Sequence, residues 1–243
     1  MPFTDIHIHA LFGVDDGAKT EKEMYAIVDA SYADGIRTIC LTPHFHPGYF
    51  GDNRAASDRA FEQLRSYCRE QYADLELFLG NELRYSKDCI SWLEHGACRT
   101  IHDSRYVLVD FQATEEASDI TRGAERLLNT GYIPILAHVE RYRNLDMQTI
   151  RKLRIYGILI QMDAQSVFRA FGFGPQHRCK KMLSEQLVDI VASDAHNLTS
   201  RPPILSDCYS YIARHYGTEY ANAICMRNAN SILCDTADRK VLD

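Results

Sequence analysis

Short apolar segments alternate with longer amphipathic ones along this sequence, and that alternation is the strongest limit on its fold. Segments with the length and composition of β-strands are Phe3–His9, Thr38–His44, Leu75–Glu82, Tyr106–Phe111, Ile133–His138, Gly157–Met162 and Val188–Asp194. Helical patterns lie between them. In Ala55–Tyr72, for example, apolar side chains recur about every 3.6 residues. Strands that alternate with helices in this way predict a parallel sheet.

Glycines mark the ends of several predicted helices. Gly35, Gly131 and Gly157 each stand between a helical pattern and the next strand, as helix C-capping requires. No linker, repeat or low-complexity segment interrupts the alternation. We therefore predict an α/β fold, a distorted seven-stranded (β/α)7 TIM-like barrel formed by residues 1–243 as a single domain. An open doubly wound sheet fits the same alternation.

Charge and composition exclude several classes of protein. A net charge of -6 without a run of basic residues argues against a nucleic-acid partner. No apolar stretch approaches the roughly 20 residues that cross a bilayer, so we expect no membrane insertion. The N-terminus lacks the pattern of a signal peptide, and the eight cysteines include no CxxC pair. These features predict a cytoplasmic protein with reduced cysteines.

Residues able to bind metal ions stand at the ends of six of the seven predicted strands. In chain order they are His7 and His9, His44, Glu82, Asp110, His138, and Asp194 with His196. Since the C-terminal ends of barrel strands converge on one face, these side chains are expected to meet there. Imidazole and carboxylate ligands without thiolate suit manganese, iron or zinc. The sequence therefore predicts a metal site.

The spacing of these residues supports a shared site. His7 and His9 are two residues apart on a strand, so both side chains leave the same face, and Asp194 and His196 repeat that spacing. In a closed barrel the first and last strands are neighbours, which would bring the two pairs together. The sequence DDG at 15–17 adds two carboxylates and a glycine that permits a tight turn. The alternative interpretation of a single acidic residue at a strand end is a helix N-cap.

Several motifs together resemble one protein family. DIHIHALFGVDDGAKT, TPH, GNEL, AHVERY and ASDAHNLTSRPP are similar to the PHP-superfamily protein-tyrosine phosphatases of bacterial capsule and exopolysaccharide loci. The resemblance runs from residue 4 to about residue 232 and implies a distorted barrel, the PHP fold, with up to three divalent ions. Manganese is the metal it implies, with iron, zinc and cobalt as alternatives.

The resemblance also implies a ligand set for each ion. One ion would take His7, His9, Glu82 and Asp194, a second would share Glu82 and add Asp110 and His138, and a third would take Asp16, His44 and His196. Asp16 is preferred to Asp15, although the sequence alone does not separate them. Family members commonly carry glutamate where this chain has Asp110, so coordination there is expected to be looser.

Two arginines are candidates for phosphate binding. Arg141 follows His138 by three residues and Arg201 follows His196 by five. A guanidinium group matches two phosphate oxygens at once, and the resemblance assigns phosphate binding to both; a surface salt bridge is the ordinary alternative. The implied reaction is hydrolysis of protein phosphotyrosine, and the implied partner is the tyrosine-rich tail of a bacterial tyrosine kinase that controls polysaccharide export.

Other functions fit parts of the pattern. The same metal chemistry serves phosphatases of small metabolites such as histidinol phosphate. A metal-binding regulatory module without turnover, or a non-phosphate amidohydrolase, would not need the two arginines. Cys208 and Arg214 match the CxxxxxR formula of cysteine-dependent tyrosine phosphatases, but the segment lacks a glycine-rich phosphate loop. We therefore expect Cys208 to be a packing residue.

Overall fold

The computed structural model describes residues 2–50 and 53–235. Within them the β-strands are β1 (Phe3–Ile8), β2 (Ile36–Leu41), β3 (His44–Phe45), β4 (Glu76–Leu79), β5 (Glu82–Arg84), β6 (Tyr106–Asp110), β7 (Ile133–Leu136), β8 (Leu159–Asp163) and β9 (Ile190–Ala192). The α-helices are α1 (Glu21–Ala33), α2 (Pro47–Phe50), α3 (Arg54–Gln71), α4 (Cys89–Glu94), α5 (Ala117–Asn129), α6 (Met147–Ile155), α7 (Phe173–Ser184), α8 (Ser206–Tyr216), α9 (Thr218–Asn222) and α10 (Asn228–Cys234).

The strands pair in parallel around a ring. One sheet has the order β1-β2-β4 and the other β3-β5-β6-β7-β8-β9. The chain beyond β9 closes the ring against β1, because Ile8 and Ala195 form a parallel bridge and the His9 N–H donates to the Ala195 carbonyl at 2.8 Å. The predicted barrel is confirmed, and the open-sheet alternative is wrong.

Two of the seven predicted strands are interrupted near their C-terminal ends. The second breaks at Thr42 and Pro43, between β2 and β3, and the third at Gly80 and Asn81, between β4 and β5. Proline has no N–H to donate to a neighbouring strand. Beyond the two breaks, His44 pairs with Glu82. The two breaks therefore lie directly before two of the predicted metal ligands, His44 and Glu82.

Local capping explains where two of the helices begin and where three of them end. The Thr20 side chain accepts the Glu23 N–H at 3.2 Å at the start of α1, and Asp146 accepts the Thr149 N–H at 2.7 Å at the start of α6. The three glycines predicted to end helices have φ values of +96°, +89° and +89°, which confirms that prediction.

The sequence interpretation missed the last helical segment. Helix α9, a π-helical turn at Ala223–Arg227 and α10 follow one another without a break. Ile232 and Leu233 of α10 belong to a buried apolar cluster with Ile6, Leu108 and Ile190 from three strands. This segment therefore completes the core of the barrel. No helix in the described ranges has both the length and the apolar character needed to cross a membrane.

Candidate metal centre

All nine residues predicted to bind metal lie together at the C-terminal ends of the strands or in the loops that follow them. They fall into four overlapping groups, each with ligand atoms within 4.8 Å of one another: His9, Asp16, His44 and His196; His7, His138 and Asp194; His7, His9 and Glu82; and Glu82, Asp110 and His138. Most of these side chains are buried, although Asp16 is half-exposed. Imidazoles and carboxylates from seven separate places in the chain therefore form one cluster.

At the centre of the cluster, four atoms are spaced as the ligands of one ion would be. His7 Nε2 lies 3.1 Å from His9 Nε2, 3.4 Å from Glu82 Oε2 and 3.3 Å from Asp194 Oδ1. His9 Nε2 lies 3.3 Å from the same glutamate oxygen and 3.4 Å from the same aspartate oxygen. Ligand atoms about 2.0–2.2 Å from one ion lie about 3.0–3.5 Å apart. The spacing fits a first-row divalent ion.

The central histidines are held by their opposite ring nitrogens. His7 Nδ1 lies 3.1 Å from Gln161 Oε1, and His9 Nδ1 lies 2.7 Å from Asp15 Oδ2. His196 Nδ1 lies 2.9 Å from the Asp194 carbonyl oxygen. Partners of this kind fix which nitrogen carries the proton, so that Nε2 of each ring faces the centre with a free lone pair.

The two adjacent aspartates of the first loop have different surroundings. Asp16 Oδ1 lies 3.3 Å from Nε2 of His44 and 3.3 Å from Nε2 of His196. Asp15 instead accepts the backbone N–H groups of His44 and Gly17, at 3.0 and 2.9 Å. Asp16 thus stands among the candidate ligands, whereas Asp15 orients two of those ligands, His9 and His44, from outside the cluster.

Gly17 is required by close packing. A Cβ atom at this position would lie 1.9 Å from the His9 carbonyl oxygen. The loop could not approach β1 with any larger residue. The sequence predicts a glycine here for a tight turn, and the close approach to His9 is a second reason why no larger residue fits.

A second part of the cluster joins Glu82, His138 and Asp110. His138 Nε2 lies 3.0 Å from Glu82 Oε1 and 3.8 Å from Asp110 Oδ1. The other Asp110 oxygen is 2.7 Å from the Arg84 guanidinium, a contact that the sequence interpretation did not foresee. The long distance to His138 agrees with the short reach expected of an aspartate here.

The electrostatics favour a cation at the centre. Burial opposes the ionisation of Glu82, but His44 and His7 hold its pKa well below the ordinary value. Burial also opposes the ionisation of Asp194, whose pKa His7 and Arg141 hold well below the ordinary value. Burial, together with the charge of Glu82, raises the pKa of Asp110 to about 7. Glu82 and Asp194 are therefore charged although they are buried, and their negative charge opposes the ionisation of Asp110. Bound cations would stabilise this arrangement.

Unsatisfied polar atoms and strained backbone mark the same place. Asp194 Oδ1 and His196 Nε2 are buried and make no hydrogen bond within the described residues, which is costly unless another group satisfies them. His138 and Asp194 also have positive φ values of 34° and 51°, a conformation that costs free energy in residues other than glycine. The donor set, its spacing and these unsatisfied atoms all fit divalent ions.

The two predicted phosphate-binding arginines stand beside this cluster. Both guanidinium groups contact Asp194 Oδ2, Arg141 at 2.7 Å and Arg201 more closely. Arg141 also pairs with Asp163 at the end of β8 and stacks on Phe171, 3.9 Å from the ring centroid. Asp194 therefore presents one oxygen to the arginines and the other to the imidazoles.

A cavity of about 460 Å³ opens between the arginines and the cluster. Its lining includes Arg141, Arg201, Glu82, His138 and Arg84. A phosphate group in this cavity would meet guanidinium groups on one side and metal ligands on the other. Sequence reasoning missed Arg84, Gln161 and Asp163. For Asp163 the sequence did contain an indication. It directly follows Gly157–Met162, the one predicted strand whose C-terminal end carries no candidate metal ligand.

Cys208 has no part in this site. Its side chain is fully buried within α8, and burial raises the pKa of its thiol well above the ordinary value. A reactive cysteine instead requires an exposed thiolate in positive surroundings. The expectation that Cys208 is a packing residue agrees with this placement.

A parallel barrel that gathers imidazoles and carboxylates beyond its strand ends is typical of metal-dependent hydrolases. The family model described as capsular polysaccharide synthesis, CpsB/CapC, matches residues 3–234. This chain belongs to the CpsB/CapC family, and the resemblance seen in the sequence is confirmed.

Individual relatives agree with that assignment. The tyrosine-protein phosphatase CpsB of Streptococcus pneumoniae is 35% identical over 238 residues, which cover 95% of this chain and 98% of that protein. The tyrosine-protein phosphatase YwqE of Bacillus subtilis (strain 168) is 28% identical over 221 residues, covering 88% of this chain and 85% of that protein. These relatives thus align with nearly the whole chain.

Solved structures show the same likeness. One from a crystallographic study of YwqE and CpsB, described as metal-dependent tyrosine phosphatases, matches with a TM-score of 0.86 at 27% identity, over 95% of this chain and 94% of that chain. The phosphotriesterase from Mycobacterium tuberculosis matches with a TM-score of 0.59 at 13% identity, over 96% of this chain and 94% of that chain. The second match concerns the fold alone.

Proposed function

We propose that this protein is a metal-dependent tyrosine-protein phosphatase, a hydrolase of phosphoric monoesters. The observation that carries the proposal is the spacing of 3.1–3.4 Å among the central nitrogen and oxygen atoms of His7, His9, Glu82 and Asp194. Arginines line the adjoining cavity, and the relatives are named tyrosine-protein phosphatases. Histidinol phosphate is not favoured as a substrate, because none of these relatives is named for it.

Up to three divalent ions, most simply manganese, are proposed as the cofactors. One would be held by His7, His9, Glu82 and Asp194, a second by Glu82, Asp110 and His138, and a third by Asp16, His44 and His196. His9 also lies within reach of the third group. Nitrogen and oxygen donors without thiolate suit manganese, with iron, zinc and cobalt as alternatives. Bound ions would activate water for attack on phosphorus and neutralise the charge of the phosphoryl oxygens.

The residues of the chain orient the substrate around these ions. Arg141 and Arg201 are proposed to bind the phosphoryl oxygens, since both guanidinium groups reach the cavity and share Asp194. Asp194 holds the arginines and the central ligands in one fixed relation. Phenolate, with an ordinary pKa near 10, leaves readily, so the demand for a proton donor is modest.

The proposed substrate is a phosphotyrosine protein, namely the tail of a bacterial tyrosine kinase in capsule or exopolysaccharide synthesis. The family description refers to capsular polysaccharide synthesis, and an open cavity suits an extended tail. We also propose that residues 1–243 act as a single domain, which the family match over residues 3–234 supports. The proposed location is the cytoplasm, where the eight free cysteines would stay reduced.

Elemental analysis combined with turnover tests the function. Purified protein should contain tightly held transition ions and hydrolyse a phosphotyrosyl peptide faster than histidinol phosphate. A chelator should abolish this activity and manganese should restore it, whereas thiol alkylation should leave it intact. Activity that survives complete removal of metal, or a clear preference for histidinol phosphate, would refute the proposal.

A further inference from the structure

A second cavity, of about 440 Å³, adjoins the cavity between the arginines and the metal cluster. The two cavities share Arg84, Phe111 and Gln112. The second is completed by four further residues, His46, Tyr85, Glu115 and Asp119. No step of phosphate hydrolysis uses this space. Since a phosphotyrosine in the first cavity is attached to a polypeptide, the second cavity is placed to receive a neighbouring residue of the substrate.

One wall of the second cavity contains the Tyr85 ring, which is backed by the buried ring of Phe111 and held in place. The rings of Tyr85 and Phe111 stack with centroids 4.7 Å apart and planes inclined by 22°. Helix α5 packs against both rings at Gly123, where a Cβ atom would lie 2.7 Å from Tyr85 and 2.9 Å from Phe111. The backbone N–H of Tyr85 donates to the Asp110 carbonyl at 2.8 Å. This rigid surface suits the aliphatic part of a long side chain.

The charges around the second cavity leave one carboxylate without a partner. Arg84 is paired with Asp110 at 2.7 Å, and Asp119 is paired with Arg122 at 2.8 Å. Glu115 is half-buried, and no hydrogen bond or ion pair engages its carboxylate within the part of the chain that the structure describes. A cationic group arriving here would therefore gain a partner without breaking an existing ion pair.

We propose that the second cavity binds a lysine or arginine that is adjacent to the phosphotyrosine of the substrate. The aliphatic stem packs against Tyr85, which Phe111 supports from behind, and the cationic end pairs with Glu115. This inference rests on the proposed phosphatase function and adds a sequence preference to it. A small aryl phosphate fills the first cavity alone and does not report on this preference.

Matched phosphotyrosyl peptides test the preference. Each peptide carries one phosphotyrosine, with lysine, alanine or glutamate placed directly before or directly after it. For the metal-loaded wild-type protein, we expect kcat/KM to be about two- to fivefold higher for lysine than for alanine at one of these positions, the range for a partly exposed ion pair. The glutamate peptide should be the poorest of the three.

Charge substitutions assign the preference to Glu115. Glu115→Gln should bring the lysine-to-alanine ratio close to one, and Glu115→Lys should reverse it in favour of the glutamate peptide. Glu116→Gln is the matched control, because Glu116 lies outside the lining of both cavities and should keep the wild-type ratio. No lysine preference in the wild type, or a preference unchanged in Glu115→Lys, would overturn this inference alone. Failure of metal-loaded wild type to hydrolyse any of the peptides would overturn the phosphatase function itself.

Discussion

Asp194 connects the two halves of the proposed site. One of its oxygens lies 3.3 and 3.4 Å from the central imidazole nitrogens, and the other accepts from Arg141 and Arg201. Moving either arginine would therefore move Asp194 and with it the candidate metal ligands. A shift of those ligands would likewise change the position of the arginines that are proposed to bind phosphate. Arg141 has an additional anchor in Asp163, which is fully buried. Such outer partners commonly set the geometry of a site.

Asp163→Asn tests the role of this anchor. The substitution removes the charge that holds Arg141 but leaves the proposed metal ligands in place. We expect kcat/KM for a phosphotyrosyl substrate to fall about tenfold or more, as for a hydrogen bond to a charged group. The inhibition constant of inorganic phosphate should rise while the bound metal content stays constant.

An equivalent pair elsewhere in the barrel provides the control. Asp189 pairs with Arg154 at 2.7 Å, just before β9 and away from the lining of the proposed phosphate cavity. Asp189→Asn removes the same kind of charge and should leave the inhibition constant of phosphate unchanged. If Asp163→Asn has wild-type phosphate affinity and turnover, Asp163 does not position Arg141.

At the scale of single elements, periodicity located every strand but not the breaks within two of them. The apolar run through residues 38–44 is continuous in sequence, whereas the structure ends β2 at Leu41 and resumes pairing at His44. Pro43, which has no N–H to donate, contributes to this break, and the other contribution is tertiary. Thr42 bonds back to β1, its N–H donating to the Ile8 carbonyl and its hydroxyl accepting the Ile8 N–H, each at 3.0 Å. A pattern of single residues does not record such contacts.

The close fit of α5 against the barrel depends on Gly123. In Gly123→Ala the added methyl group would overlap Tyr85 and Phe111, so the rings or the helix must move. We expect the free energy of unfolding to fall by about 1–3 kcal/mol, as in other overpacked cores, although alanine favours helix by about 1 kcal/mol. Urea denaturation measures the change.

Gly174→Ala, in a different helix, is the matched control for Gly123→Ala. Gly174 lies in the first turn of α7, and a Cβ atom there would meet nothing within 4 Å. Its substitution should leave stability unchanged or raise it slightly, since only the helix propensity changes. Equal effects of the two substitutions would show that Gly123 is not needed for packing.

At the scale of the whole molecule, the sequence predicted the barrel and the meeting of the candidate ligands because both follow from strand order. Residues whose function depends on an individual contact were not predictable in this way. Gln161, for instance, holds His7 from a strand that supplies no candidate ligand, and nothing in its local sequence indicates a neighbour 154 positions away. Helix α10 was missed for a similar reason, since its role is to cover a core assembled from distant strands.

Because the candidate ligands span residues 7–196, bound ions would join segments that are far apart in sequence. Ions that bind the folded chain alone stabilise it by about 2.7 kcal/mol at a hundred times their dissociation constant. For a chain of this size we expect chelation to lower the unfolding temperature by about 5–10 °C, measured by differential scanning calorimetry. His138→Ala should lose much of this metal-dependent shift. His95→Ala should keep it, because His95 is exposed at the end of α4 and, among the residues that the structure describes, bonds only within that helical segment. An unfolding temperature that does not respond to metal in the wild type would mean that these side chains meet without binding ions.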